Sequence, residues 1–289
     1  MKVTLKPPIR AAGLLVALSV ILLCAIFPDQ AGAYVLEGPH VLDLTARAMG
    51  KLTTLKINQK LLIYPQTPDE IPTVLDETDI YVMPRRFRSD TVSDRTHRTH
   101  LVVGDQSLTV IDGRLATAQD PFDQYQRLLR SRTRSQLMKT LNGLDVETAI
   151  SSLGRIEETV VFVLGAHYPD ESVSQLAVDK ETFLPVRLLL TNRQMEDPGE
   201  RLEIYYRNWQ KIQDGWFPIQ VVFYINGRLA REIRVVDIHP NPSIPTDMMD
   251  PEALKASVAV TNPDSSREQK QEAVDAVQQG VQDFQKKFE

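Results

Sequence analysis
The stretch YYRNWQKIQDGWFPIQVVFYINGR, Tyr205 to Arg228, decides the fold. Within it Phe217, Ile219, Val221, Phe223 and Ile225 are all apolar, while Pro218, Gln220, Val222 and Tyr224 are mixed. Successive side chains of a strand point to opposite faces, so the pattern predicts a strand with one buried and one partly wetted face. Asp214-Gly215 precedes it and Asn226-Gly227 follows it, and such pairs close tight hairpins. Strands at 200–212, 217–225 and 228–238 are therefore expected to form an antiparallel meander, a kind of sheet that tolerates water on one face.

Working outward, the same period of two recurs over most of the chain. Leu55, Ile57, Leu61 and Ile63 share a face in which Gln59 is the one polar exception. Further strands are predicted at 74–83, 86–92, 98–104 and 107–111, with Asp112-Gly113 turning into a short one, and at 155–164, 173–179 and 184–192. A period near 3.6 appears in two places. Residues 40–52 carry a stripe of Val41, Leu44, Ala48 and Leu52. From 121 to 153 a helical patch opens on Asp120-Pro121, a cap followed by a first-turn proline. Its apolar faces are Tyr125, Leu128 and Leu129, then Leu137, Met138 and Leu141, then Val146, Ala149, Ile150 and Leu153. The expected fold class is α+β: one curved antiparallel sheet of about ten or eleven strands, curled into an unclosed β-barrel and capped by helices on its apolar face.

The ends differ from the middle. Lys2, Lys6 and Arg10 precede an uncharged run from Ala11 to Phe27, then Pro28 and the small residues Ala31 and Ala33. That is the three-part pattern of a secretory signal peptide over residues 1–33, cleaved before Tyr34, with an uncleaved inner-membrane anchor as the alternative. Cleavage removes the lone cysteine, Cys24, and leaves 30 Lys+Arg against 37 Asp+Glu, a net charge of −7. So acidic a chain is not expected to bind nucleic acid. The main domain is expected over 34–260. Beyond it, residues 261–289 read as a linker and an amphipathic helix with Val274, Val277, Val281, Phe284 and Phe288 on one stripe.

Chemistry is sparse in the pattern. No phosphate loop, dinucleotide fingerprint, nucleophile elbow or metal-binding helix motif occurs. His97 and His100 are three apart on a strand and point to opposite faces, so they make no zinc site, and no cofactor or metal is expected. The adjacent carboxylates Asp69-Glu70, Asp76-Glu77 and Glu157-Glu158 read as solvated charges. A hydrolase would instead need two carboxylates converging in a pocket.

Several stretches resemble the outer-membrane lipoprotein carrier (LolA/LolB-like) superfamily. IYVMPRRFRSD (Ile80 to Asp90) is similar to that family's strand ending in proline followed by an aromatic strand. HLVVGDQSLTVIDG (His100 to Gly113) is similar to its next hairpin, and LAVDKETFLPVRLLL (Leu176 to Leu190) to its acidic-turn and Leu-Pro segment. Tyr205–Arg228 and VVDIHPNPSIPTDMMDP (Val235 to Pro251) resemble its closing strands and exit loop. The resemblance implies a non-enzymatic periplasmic binder of lipid or lipoprotein acyl chains, working with an inner- or outer-membrane transport component. A scaffold or sensor with the same fold and a filled interior is the alternative. The alternation nominates Leu61, Ile63, Tyr81, Met83, Phe87, Leu101, Val103, Phe217, Val221 and Phe223 as cavity lining, and Arg85, Arg86 and Arg88 as a rim for an anionic headgroup. Family members place an arginine before the strand-ending proline, where this chain has Met83, so their release route does not transfer directly.

Overall fold
The computed structural model describes residues 35–261 apart from 66, 68–69, 95, 117–119 and 192–198, with the side chains of 259–261 also left aside. The signal segment, Asp69 and the C-terminal helical stripe lie outside the described residues. A compact unit begins at Leu36.

Thirteen strands make one sheet, more than expected, partly because 155–164 is a hairpin and not one strand. They are β1 (Thr54–Ile63), β2 (Thr73–Val82), β3 (Arg86–Val92), β4 (His97–Val103), β5 (Gln106–Ile111), β6 (Arg114–Ala116), β7 (Ser151–Ile156), β8 (Thr159–Leu164), β9 (Gln175–Asp179), β10 (Pro185–Thr191), β11 (Arg201–Ile212), β12 (Gly215–Ile225) and β13 (Arg228–Pro240). Their spatial order is β6-β5-β4-β3-β2-β1-β13-β12-β11-β10-β9-β8-β7, and every neighbouring pair is antiparallel. Two meanders thus run outward from a central β1–β13 pair. Strands β6 and β7 are the free edges, so the barrel is unclosed.

The chain passes from β6 to β7 through a helical segment. A 3-10 turn (Pro121–Gln124) leads into α2 (Tyr125–Arg130), and then comes α3 (Arg134–Asn142); α1 (Gly38–Met49) precedes the sheet and α4 (Pro251–Thr261) follows it. Asp120 caps the 3-10 turn by accepting from the Phe122 N–H. Thr133 and Gln136 form a reciprocal capping box on α3. The helical faces differ from expectation in two places. Val146 to Ile150 is irregular, because α3 stops at Asn142 and Asp145 takes a positive φ of 59° that no α-helix accommodates. Leu153 belongs to β7. In α1 the buried stripe is Val41, Leu42, Thr45, Ala46 and Met49, with Leu44 and Ala48 only half-buried.

One large core fills the concave side. It joins Val41, Leu42 and Ala46 of α1, Leu128, Leu129, Leu137 and Leu141 of the crossing helices, and inward residues from β1 to β4 and from β8 to β13. At about 25 cal/mol per Å² of buried apolar area, this shared core is the main source of stability for the cysteine-free domain. The turn before β12 falls on Gln213-Asp214, one residue earlier than read from the sequence. Gly215 then opens the strand, where a Cβ would lie 2.6 Å from Leu52 Cγ and 2.8 Å from the Met49 carbonyl. Only glycine admits α1 this close to the sheet. Among the described residues no helix is long and apolar enough to cross a membrane.

Candidate functional site
Eight of the ten nominated lining residues share the concave core: Leu61, Ile63, Tyr81, Phe87, Phe217, Val221 and Phe223 within it, and Met83 packed at its border. Tyr81 stacks edge-on against Phe87 and Phe217, with ring centroids 4.8 and 5.5 Å apart. Leu101 and Val103 lie on the opposite face. Phe87 pairs with Val102, so Val102 is the inward residue of β4. A one-residue shift in register exchanges the faces. Leu101 packs instead with Ile80 and Met249, and Val103 and Leu254 join them, beneath the 3-10 turn Asp247–Met249 and α4. A cavity of about 230 Å³ on this outer side is lined by Leu101, Gln106, Ser107, Leu108, Pro251 and Lys255.

The rim arginines also separate. Arg85 and Arg86 are exposed at the β2–β3 turn. Arg88 is committed to the outer face: its Nε and Nη2 bind Asp90 at 2.6 and 2.9 Å, and its Nη1 donates to the Met248 carbonyl at 3.0 Å. It secures the segment leading into α4.

Residues 121–142 cover the concave face as a plug, anchored at three points. Where it enters, Arg231 donates to Asp120 at 2.8 Å and lies 3.7 Å above the Phe122 ring, while Arg98 pairs with Asp123 at 2.5 Å. Burial raises the Asp120 pKa, but Arg231 and Arg98 outweigh it and hold the group below the usual carboxylate range. In the middle, the Tyr125 hydroxyl donates to Asp79 at 2.7 Å. Between α2 and α3, Arg132 Nη1 donates to the carbonyls of Met49, the last residue of α1, and Trp216, at 2.9 and 3.3 Å. A cation at a helix C-terminus meets unpaired carbonyls and the negative end of the dipole. Arg132 Nε also contacts Met83 Sδ at 3.3 Å. A plug arginine thus reaches the Met83-Pro84 position at the end of β2.

Beneath the plug lies a polar cluster that the sequence did not announce. Gln59 Nε2 donates to Glu77 at 2.8 Å and to Asp79 at 3.0 Å, and Ser89 and Thr91 donate to Glu77 at 2.7 and 2.8 Å. Asp76 and Glu77 are therefore not both solvated: Asp76 faces outward and pairs with Lys60, while Glu77 is only 7% exposed. Burial and the neighbouring Glu77 push the Asp79 carboxyl well above its ordinary pKa. Two carboxylates do converge here, but they lie under the plug, with Asp79 wholly sealed from solvent, and not in an open pocket. His97 and His100 diverge as expected, and His100 binds Thr109 at 2.8 Å. Among the described residues no group of acidic, histidine or cysteine side chains is arranged to hold a metal ion.

The contact between plug and sheet is imperfect. Among the described residues, eight buried side-chain polar atoms lack a hydrogen-bond partner; five of them, on Asp79, Tyr81, Gln126, Arg130 and Arg132, belong to β2 and the plug above it. Desolvation lowers the Arg130 and Arg132 guanidinium pKa values to about 10.

The fold is an unclosed antiparallel barrel with helices against its apolar concave face, and solved structures are similar to it. A LolA superfamily protein from Nitrosomonas europaea is 12% identical, with a TM-score of 0.50 over 75% of this chain and 99% of that one. An outer membrane lipoprotein-sorting protein domain from Vibrio parahaemolyticus is 10% identical, with a TM-score of 0.50 over 75% and 98%. A DUF1329 family protein from Desulfovibrio piger is 11% identical, covering 75% and 99%, with a TM-score of 0.47. No protein-family model and no curated protein matches the chain. The fold is LolA-like.

Proposed function
We propose that the protein is a non-enzymatic periplasmic carrier of lipid or lipoprotein acyl chains, exported by a cleaved signal peptide over residues 1–33. Its domain of 34–260 binds the chain on the concave face, and 261–289 form an appended linker and helix. In the unloaded form the plug occupies the acyl-chain site, and loading moves it aside. The observation that carries this reading is the mismatch between plug and sheet. Apolar contacts hold the plug, yet five buried polar atoms, two on β2 and three on the plug itself, make no hydrogen bond to a described residue, and an unpaired buried polar atom costs about 1–3 kcal/mol. That arrangement favours a cover that comes off over one fused permanently to the core. An acyl chain would regain about 0.8 kcal/mol per methylene buried in its place.

A LolA-like fold supports the carrier reading, as does the similarity to a protein described as lipoprotein-sorting. Handing the cargo on requires a partner, an inner- or outer-membrane transport component. The second reading, a scaffold or sensor with a permanently filled interior, draws on the packed state of that interior. Native mass spectrometry after incubation with envelope lipid separates the two. The carrier retains acyl-bearing lipid, and a protein that stays empty at all lipid concentrations is a scaffold.

A further inference from the structure
Arg130 is the most conspicuous charge in the molecule. It lies at the C-terminal end of α2, is 8% exposed, and makes no hydrogen bond to any described residue; its Nε is among the buried atoms without a partner. The charged or titratable groups that influence it are the Tyr81 hydroxyl and a second arginine, Arg127, one turn earlier on the same helix. Arg132 senses the same Tyr81 hydroxyl, and its Nη2 is also buried and unpaired. The Tyr81 hydroxyl is wholly buried and makes no short hydrogen bond, and it lies beside the Tyr125 hydroxyl within the field of Asp79. Two guanidiniums thus lie near one buried hydroxyl with donors to spare, Arg127 stands one turn away, where it donates to Gln124 and feels Asp105, and no described carboxylate forms an ion pair with any of the three. Elsewhere in the interior, buried cations are matched: Arg98 has Asp123, Arg231 has Asp120, and Arg187 has Glu171 and Glu203. A buried charge without a counter-ion is strongly unfavourable, so an unmatched cluster implies that the missing anion comes from outside. Guanidinium groups present forked donors that suit tetrahedral oxyanions in particular.

We propose that Arg127, Arg130 and Arg132, together with the Tyr81 hydroxyl, bind a phosphate-class oxyanion carried by the protein's ligand. The proposal rests on the acyl-chain reading above and adds to it the chemistry of the headgroup. It also places the headgroup site on the plug and not at the β2–β3 turn of Arg85 and Arg86, nor at Arg88 of β3, which Asp90 already neutralises. Binding a phosphate there would neutralise the cluster at the spot where plug and sheet fit least well.

The test is calorimetric titration of the purified protein with three probes: dihexanoyl phosphatidic acid, dihexanoylglycerol with the same chains and no phosphate, and inorganic phosphate. The expected result is at least tenfold tighter binding of the phosphatidic acid than of dihexanoylglycerol. Arg130→Met removes that preference while leaving the thermal midpoint unchanged or higher, because an unmatched buried charge has been taken away. A purely structural arginine would do the reverse, lowering the midpoint and leaving the preference intact, and that result overturns the proposal. If Arg130→Met does not fold, Arg127→Gln, at a half-buried position, is expected to weaken the preference at least threefold, and an unchanged preference overturns the proposal equally. Competition by inorganic phosphate extends the site to the free anion; without competition the site is specific to the lipid headgroup. Equal affinity for the two lipids removes the anion site and leaves the acyl-chain carrier standing. Phosphate binding that depends on Arg130, with no binding of dihexanoylglycerol, keeps the anion site and removes the carrier.

Discussion

Asp79 provides a quantitative probe of the buried cluster. It is wholly buried, it accepts from Gln59 and Tyr125, and burial and Glu77 push its pKa well above the ordinary value. In the unfolded chain an aspartate loses its proton near pH 3.9. Between that pH and the raised folded value, the native state holds one proton more than the unfolded state. Stability must therefore fall as pH rises through this window, with a slope approaching about 1.4 kcal/mol per pH unit for one proton. Asp79→Asn keeps an acceptor for Tyr125 and removes the titration. Groups whose pKa is depressed, such as Asp120 and Glu232, contribute the opposite slope to both proteins and cancel in the difference. Urea unfolding at pH 4, 5, 6 and 7, followed by the fluorescence of Trp209 and Trp216, measures that difference. The advantage of Asp79→Asn over wild type should be smallest at pH 4 and grow as pH rises, until pH passes the raised pKa of the folded carboxyl. A difference that stays constant with pH, or shrinks, refutes the burial of an ionisable carboxyl under Tyr125.

Three further outcomes are expected. Leu137→Ala, at a wholly buried plug position, should cost about 2–5 kcal/mol in the same unfolding assay, within the range for a buried leucine. Gly38→Ala should lower the thermal midpoint by more than Leu137→Ala does, because its Cβ would lie 2.0 Å from the Thr148 carbonyl oxygen and force the start of α1 away from the segment before β7. Leu101→Ala should speed amide exchange across 244–255 while leaving acyl-lipid affinity unchanged; a loss of affinity would return Leu101 to the concave face.

The meander of β11, β12 and β13 was legible because its information is local. An apolar alternation is bracketed by turn pairs, and Asn226 and Gly227 do adopt the positive φ values, 50° and 77°, that such a hairpin needs. The entry to the plug was legible for the same reason, through Asp120-Pro121. The face of β4 was not, because HLVV carries apolar residues on both sides, and only pairing with Phe87 decides which is inward. The polar interior was hidden by the assumption that charge means solvent. Yet Leu75, Glu77, Asp79 and Tyr81 keep the inward period of β2, and Gln59 sits among apolar residues on the neighbouring strand. Read together, a polar break at matching positions on two adjacent strands is the signal of a buried cluster. Arg127, Arg130 and Arg132 gave no such signal, since arginines on a short helix or in the turn after it usually lie in water.

The central claim is that the acyl-chain site exists beneath the plug and is exposed when cargo enters. Hydrogen exchange across residues 121–142, measured with and without a saturating triacylated lipopeptide, tests it most directly. The account predicts slow exchange in the free protein and a marked loss of protection in this segment on loading, while β11 to β13 stay protected. Bound lipopeptide with unchanged protection across 121–142 would contradict it.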